Sequence, residues 1–433
     1  MFKRKLEESL LVWKNDLVHK PLIVRGARQV GKTSLIREFG RKYFENVVEI
    51  NLEKNDHREL FAGVDSVEDL EKRIFFAWGK KIVPGQTLLF IDEIQELQEM
   101  LEILRFVAEE RPKWHVLVAG SLLEVKIGSG WRVPVGRVDY RYLYPLTFFE
   151  YLEGTEQRGL LNDLNQIDLK SEFRYANVAQ KAFEQYCLLG GMPEVIADFL
   201  KLHDYDHALT ILRRLQTSYI DDVGKYAKNN REKKYLEGIV ENGATMAGKI
   251  YRYENFAGLG YKSREMSSAM IQVEKTMLCR QVPATNSTML PINIKYKRPK
   301  KLIWLDAGVV NLVNSAYLDL VKGRYEGAIM EQLVGQTIIA SLSDELVKIA
   351  YFALDKDKGD AEVDFCFPWQ GKLVAMEVKS GSNLKSRSLG NMVKLGEGRV
   401  IPIIVSWNDL KDNNGVLNIP FYLLERWREF IPK

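Results

Sequence analysis

Gly26-Ala27-Arg28-Gln29-Val30-Gly31-Lys32-Thr33 is the stretch on which the reading of this chain turns. It fits G-x-x-x-x-G-K-[ST], and its surroundings say as much as the pattern does. The apolar run Pro21-Leu22-Ile23-Val24 leads in, and Ser34-Leu35-Ile36-Arg37-Glu38-Phe39 leads out. Strand, glycine loop and helix in that order form a cradle for phosphate. Glycine lets backbone N–H groups turn inward, and the helix N-terminus presents the positive end of its dipole. The loop Gly26, Ala27, Arg28, Gln29, Val30, Gly31, with Ser34 beyond it, is therefore expected to wrap the phosphates of ATP. Lys32 would reach the β/γ-phosphates, and the Thr33 hydroxyl would bind Mg²⁺.

A second segment completes the first. Thr87-Leu88-Leu89-Phe90-Ile91-Asp92-Glu93 is a continuous apolar run, the signature of a fully buried strand, and it ends in two carboxylates. Such carboxylates emerge at the C-terminal edge of an open α/β sheet, where ligands bind. Asp92 would hold Mg²⁺ and Glu93 would orient or polarise the attacking water. Val47–Leu52 and Trp114–Ser121 read as two more strands of the same sheet. Ser121, at the end of the latter, is a candidate for sensing the γ-phosphate; a plain helix N-cap is the competing reading.

A length of 433 residues suggests two to three domains. The hydrophobic share of 46% and charged share of 28% are ordinary for a globular protein. The formal net charge of +4 is too small to argue for or against nucleic acid. Cys187, Cys279 and Cys366 form no C-x-x-C pair, which suggests a reducing compartment and no zinc site. The charged start Met1-Phe2-Lys3-Arg4-Lys5 lacks the apolar core of a signal peptide, and no run approaches 18 apolar residues. A cytoplasmic location away from membranes is expected.

Beyond about residue 155 the pattern turns helical. Glu172 to Leu189 ends in Gly190-Gly191-Met192-Pro193-Glu194, where the glycines stop one helix and Pro193 starts the next. Residues 233–298 suggest a winged helix: helices near Lys234–Met246, Tyr253–Leu259 and Lys262–Cys279, then strands Cys279–Pro283 and Pro291–Tyr296. Such modules often read DNA with the third helix. That helix offers Arg264, Glu265, Glu274 and Lys275 and is nearly neutral. The run Lys295, Lys297, Arg298, Lys300, Lys301 is the better phosphate-backbone candidate, and docking of a protein partner fits equally.

Ala361–Phe367 and Lys372–Lys379 read as a hairpin turning at Pro368-Trp369-Gln370-Gly371. Counting outward from the turn, Asp364 and Glu377 face each other, with Cβ atoms ~4.5–5.5 Å apart. Glu377 and Lys379 are two apart and share a face. Two acids and a lysine could hold a divalent cation, Mg²⁺ or Mn²⁺, through carboxylate oxygens. Lys379 would then activate water or stabilise a pentacovalent phosphate.

These segments together resemble a known family. R-G-A-R-Q-V-G-K-T, L-L-F-I-D-E-I-Q, A-G-S, V-G-R and L-Y-P-L-T-F-F-E-Y-L are similar to the bacterial and archaeal AAA-type ATPases with a C-terminal DUF4143 region. The family usually has T-G-S where this chain has Ala119-Gly120-Ser121. Its G-R corresponds to Gly136-Arg137, so the resemblance implies Arg137 as the arginine acting on the γ-phosphate, from an oligomer if it acts in trans. The hairpin also resembles the PD-(D/E)xK nuclease fold. That resemblance implies Glu331, on a first helix, as a third metal ligand beside Asp364 and Glu377. Asp306, in Leu305-Asp306-Ala307-Gly308, is expected to cap the helix that follows it.

The expectation is thus an α/β protein in three parts. Residues 1–155 would form a P-loop ATPase core on a parallel sheet, 156–298 a helical and winged-helix region, and 299–433 a restriction-endonuclease-like module. An ATP-hydrolysing switch would drive a metal-dependent module acting on DNA. The alternative is a nucleotide-dependent regulatory switch whose nuclease-like part is inactive and only binds partners.

Overall fold

The computed structural model describes residues 2–431 apart from 122, 129, 132–133, 156, 317–326, 346, 355–360 and 382. The chain divides into two compact units, Met1–Tyr144 and Pro145–Lys433.

The amino-terminal unit is built on five parallel strands: β1 (Leu22–Arg25), β2 (Asn46–Asn51), β3 (Thr87–Asp92), β4 (His115–Gly120) and β5 (Asp139–Tyr142). Their order across the sheet is β2-β3-β4-β1-β5. Both β3 and β4 are buried along their whole length, as expected of apolar runs covered on two faces. Helices Val67–Trp78 and Gln98–Glu110 bury Leu70, Ile74, Leu101, Leu104 and Val107 against this sheet's Val48, Ile50, Leu89 and Val116. Ser66 caps the first of these by accepting the Asp69 N–H, and Gly79 ends it in the left-handed conformation.

The carboxy-terminal unit opens with helices, including Ala176–Leu189, Pro193–Leu202 and Tyr205–Gly224. Pro193 sits in the first helical turn, where its missing N–H costs nothing. A helix over Asn230–Asn242, strand β6 (Ile250–Tyr251), a short turn at Phe256–Gly258 where a second helix was expected, a helix over Ser263–Lys275 and strand β7 (Cys279–Val282) follow. The expected partner strand Pro291–Tyr296 is not the one that pairs. Strand β9 (Lys300–Trp304) fills that role, lying antiparallel between β6 and β7. Strand β8 (Ala284–Thr285), within the connection, instead joins a different sheet.

That sheet holds seven strands, with β10 (Ala350–Ala353), β11 (Glu362–Trp369), β12 (Lys372–Lys379), β13 (Val400–Ser406), β14 (Lys411–Asn413) and β15 (Val416–Pro420) beside β8. The order is β14-β15-β13-β12-β11-β10-β8, and the sheet is mixed. β10, β11 and β12 run antiparallel in succession, while β13 lies parallel to both β12 and β15. The turn between β11 and β12 is Gln370-Gly371, both at positive φ, which suits a two-residue hairpin. The helices Gly327–Ser341 and Arg387–Gly396 flank the hairpin in sequence.

One packing node explains three separated sequence segments. Asp306 is fully buried, caps the helix Ala307–Val313 through the Gly308 N–H at 2.9 Å, and accepts the Gly191 N–H at 2.6 Å. Leu146, in the L-Y-P-L-T segment, accepts the Tyr186 hydroxyl and donates its N–H to Gly191. Gly190 has φ 76° and ψ −168°, a region open essentially to glycine alone. A Cβ there would stand 2.2 Å from Asp306 Oδ1. Gly190→Ala is therefore expected to cost about 3 kcal/mol or more of stability. Gly159→Ala, in a helix and facing open space, should be neutral or slightly stabilising. Chemical denaturation of the two variants checks the pair; equal midpoints would contradict the packing argument.

Candidate nucleotide site and carboxylate–lysine cluster

The three strands that matter end at one edge of the parallel sheet. Arg25 at the end of β1 is level with Gly120 at the end of β4, and Ile91 near the end of β3 is level with Val118. The glycine loop, Ser121 and the Asp92-Glu93 pair therefore share the sheet edge where open α/β folds bind ligands. Gly31, at φ 96°, turns the loop into the helix Lys32–Tyr43. Gln29, at φ 66°, adopts the same unusual region without being glycine. Arg4 pins the loop from the amino-terminal side, its guanidinium donating to the Val30 carbonyl at 2.9 Å and to the Tyr144 carbonyl at 2.6 Å. Arg28 lies 3.8 Å from Glu53, and Ser34 is exposed.

Lys32 is only 6% exposed and lies folded onto the loop, donating to the carbonyls of Gly26 (2.9 Å) and Ala27 (2.8 Å). Burial pushes its pKa down to about 8, against the pull of Glu93 and Asp92. Thr33 Oγ1 donates to Asp92 at 2.9 Å across the gap between loop and strand. Burial, and secondarily the charge of Glu93, push Asp92 up to about 6, with the Thr33 hydrogen bond opposing. A hydroxyl and a carboxylate placed together, beside a buried lysine, are hard oxygen donors of the kind Mg²⁺ takes. These residues fit a magnesium nucleotide.

Glu93 follows Asp92 in the left-handed conformation at φ 53°, and its own N–H returns to Asp92 Oδ1 at 3.1 Å. The amide of Gln95 donates to the Glu93 carboxylate. Gln95 is buried, and among the described residues its Oε1 has no hydrogen-bond partner. Sequence reading passed over both Gln95 and Arg4. Gln95 stands in the quoted string L-L-F-I-D-E-I-Q and could have been singled out as a polar residue on an apolar turn.

Arg137 lies elsewhere. It is half exposed and its guanidinium is paired with Glu109 at 2.8 Å. Glu109 belongs to the end of the helix Gln98–Glu110, which carries the chain back toward the start of β4. Arg137 also precedes β5, whose first residue, Asp139, is level with Leu22 at the start of β1. Both observations put Arg137 near the sheet edge opposite the glycine loop.

In the carboxy-terminal unit the expected convergence of Asp364, Glu377 and Lys379 is present. The ladder Phe365↔Met376 and Cys366↔Ala375 sets Asp364 opposite Glu377 at its next step, and Asp364 Oδ2 accepts the Val378 N–H at 2.9 Å. Lys379 donates to Glu377 at 2.7 Å. Glu331, on the helix Gly327–Ser341, joins them. That helix is registered by Gln332, whose amide both donates to and accepts from the Trp304 backbone at 2.8 Å. The unexpected member is Lys301. It is 1% exposed and donates to Glu331 at 2.6 Å and to Asp364 at 2.8 Å. Burial and the charge of Asp364 raise the Glu331 carboxyl above its usual range, with Lys301 pulling it back. The same two causes raise Glu377, opposed by Lys379.

This arrangement corrects two sequence expectations. Lys301 is no part of a surface phosphate-binding run. Within that run Lys300 is bonded to the Tyr253 hydroxyl and Arg298 to the Ala353 carbonyl, which leaves Lys297 as the exposed member. Glu331, Asp364 and Glu377, as placed, do not fit a divalent cation, because an ammonium group already lies between two of them. Among the described residues, no group of three or more His, Cys, Asp or Glu side chains is arranged to hold a metal. Among them, too, no helix is long and apolar enough to cross a membrane.

Residues 18–152 match the AAA domain family, 180–318 a domain of unknown function (DUF8612) and 326–422 a domain of unknown function (DUF4143). No curated protein matches the chain. Among solved structures, the Aeropyrum pernix Orc1 protein in complex with DNA is 14% identical, with a TM-score of 0.29, covering 73% of this chain and 92% of its own. The Thermotoga maritima RuvB Holliday junction branch migration motor is 16% identical, with a TM-score of 0.28, covering 65% and 90%. By the family models, the chain carries an AAA-type domain followed by a C-terminal DUF4143 region. An AAA domain with this loop and strand geometry supports nucleotide binding and hydrolysis with ATP and Mg²⁺.

Proposed function

We propose that this chain is an ATP-hydrolysing switch whose nucleotide cycle governs a carboxy-terminal half that engages a partner without cutting it. The observation that carries the ATP site is the junction of Thr33 and Asp92, 2.9 Å apart, beside the buried Lys32. In this reading Thr33 and Asp92 hold Mg²⁺, which when bound neutralises phosphate charge. Lys32 leaves the Gly26 and Ala27 carbonyls for phosphate oxygens. Glu93, aimed by Gln95, takes up the proton of the attacking water, and Ser121 meets the γ-phosphate from β4. Arg137 acts on a γ-phosphate only when supplied by a second copy, since its position beside Glu109 is at the far edge of its own sheet.

The division into 1–155, 156–298 and 299–433 belongs to this proposal. DNA is the proposed partner of the winged-helix segment, with Arg264 and Lys297 exposed there, and a protein partner is the competing occupant. The expected metal-dependent DNA cleavage, with Mg²⁺ or Mn²⁺ at Glu331, Asp364 and Glu377 and Lys379 catalytic, is not part of this proposal. The ammonium of Lys301 between Glu331 and Asp364 favours the non-cleaving reading.

The pH dependence of turnover tests the ATP site. Asp92 must be ionised to hold Mg²⁺, and its pKa is raised to about 6. Protons therefore compete with the cation below that value, so kcat/KM should fall on the acid side by up to about tenfold per pH unit. Raising Mg²⁺ should move the midpoint to lower pH, because the bound cation favours the carboxylate. A profile that stays flat to about pH 5 and ignores Mg²⁺ would contradict the role of Asp92.

A further inference from the structure

The carboxylate cluster on β11 and β12 has a resident cation of its own. Lys301 is the second residue of β9, whose following residues, Leu302, Ile303 and Trp304, are all buried, and its side chain is buried with them. Its ammonium nitrogen is within 2.8 Å of one carboxylate oxygen each from Glu331 and Asp364, and lies 5.2 Å from the centre of the Phe365 ring. A buried lysine donates three N–H groups and is rarely tolerated unless it is paired. Here two donors are taken by carboxylates, and the aromatic face adds a favourable electrostatic contact.

The partners are fixed from several elements at once. Gln332 locks the Glu331 helix onto the backbone of β9, the strand that carries Lys301. Gly335 on the same helix meets Ile303 so closely that a Cβ would lie 2.5 Å from its side chain. The second oxygen of Asp364 is taken by the Val378 N–H. Glu377, the third acid, is held by Lys379 at 2.7 Å. Three carboxylates thus meet two ammonium groups, and a fourth acid, Glu362, stands exposed on the same face of β11 two residues before Asp364. A divalent cation drawing on Glu331 Oε2 and Asp364 Oδ1 at roughly 2.0–2.6 Å would be repelled by the Lys301 nitrogen that already holds both atoms.

We infer that Lys301 is a built-in replacement for a divalent cation in this carboxylate cluster, making the site a metal-free structural clamp between β9, the Glu331 helix and the β11–β12 hairpin. This inference is independent of the ATP site. It assigns Lys301 a role that neither the hairpin acids nor Lys379 disclosed.

The test is Mn²⁺ binding to the full chain without nucleotide, monitored by calorimetry and electron paramagnetic resonance. The Asp92→Ala variant serves to identify any ion at the nucleotide site. The wild-type protein is expected to show no Mn²⁺ that depends on Asp364. Lys301→Ala should lower the unfolding temperature by roughly 5–15 °C, because two buried carboxylates lose their partner. It should gain a Mn²⁺ site that Asp364→Asn removes, and Mn²⁺ should restore part of the lost stability. Should Lys301→Ala fail to fold, Lys301→Gln keeps two hydrogen-bond donors without the charge and is measured in its place. Wild-type Mn²⁺ binding that Asp364→Ala abolishes would overturn the inference. So would a folded Lys301 variant that still takes no Mn²⁺, since the lysine would then not be what excludes the ion.

Discussion

Lys32→Ala is expected to abolish ATP turnover and leave the fold intact. The lysine is buried, and its pKa is held down to about 8 because burial disfavours its charge. The fold therefore gains little from the ammonium group, whose partners are two loop carbonyls. Removing it should change the unfolding midpoint by about 3 °C or less, the effect of a sub-kcal/mol change in a domain of this size. The cost falls on the ligand instead. A charge-assisted hydrogen bond to phosphate contributes roughly 1.5–3 kcal/mol to binding, and stabilising charge on the transferring phosphoryl group adds to it in the transition state. Turnover should drop by roughly 10³-fold or more. Phosphate release with Mg²⁺ checks this, and wild-type rates in the variant would remove Lys32 from the site.

Glu93→Gln should separate binding from hydrolysis. The amide keeps the size of the carboxylate and can still accept the Gln95 hydrogen bond, while Thr33 and Asp92 are untouched. Loss of the group that takes the water proton should slow the chemical step by roughly 10²–10⁴-fold. ATP affinity should stay within a few-fold of wild type, because the amide removes a negative charge near the phosphates without removing a contact. Equilibrium binding of labelled ATP alongside single-turnover hydrolysis distinguishes the two effects. Unchanged hydrolysis would mean that Glu93 is not the residue that polarises water.

The phosphate loop and the Asp92-Glu93 strand were legible because each is contiguous and each carries its context beside it. Apolar runs gave the strands, and Gly31 gave the turn. The opposition of Asp364 and Glu377 was legible for a related reason: both lie in one hairpin, and counting from Gln370-Gly371 fixes their register. Lys301 was not legible, because its partners come from a helix 30 residues on and a strand 63 residues on. In the sequence it merges with its basic neighbours; only its position at the head of the apolar run Leu302-Ile303-Trp304 hinted at burial.

The misread strand has a comparable origin. Pro291–Tyr296 is the nearer apolar stretch after Cys279–Val282, and short connections are the usual ones. The chain instead makes a longer excursion, in which Ala284–Thr285 pairs with β10 and Ile294 bridges back to Thr285. Arg137 was legible as a motif residue but not as a position. The run of the helix before β4 and the register of β5 set it at the opposite edge of the sheet, and neither is encoded near residue 137.

One nucleotide site, assembled from the glycine loop and the end of β3, is proposed to bind ATP and hydrolyse it. The most direct test is a single-turnover experiment with excess wild-type protein over γ-labelled ATP, with and without Mg²⁺. Stoichiometric ATP binding and Mg²⁺-dependent release of labelled phosphate are expected, with release lost in Lys32→Ala and retained in Asp364→Ala. ATP left unbound in the presence of excess protein, or phosphate released equally by wild type and Lys32→Ala, would contradict it.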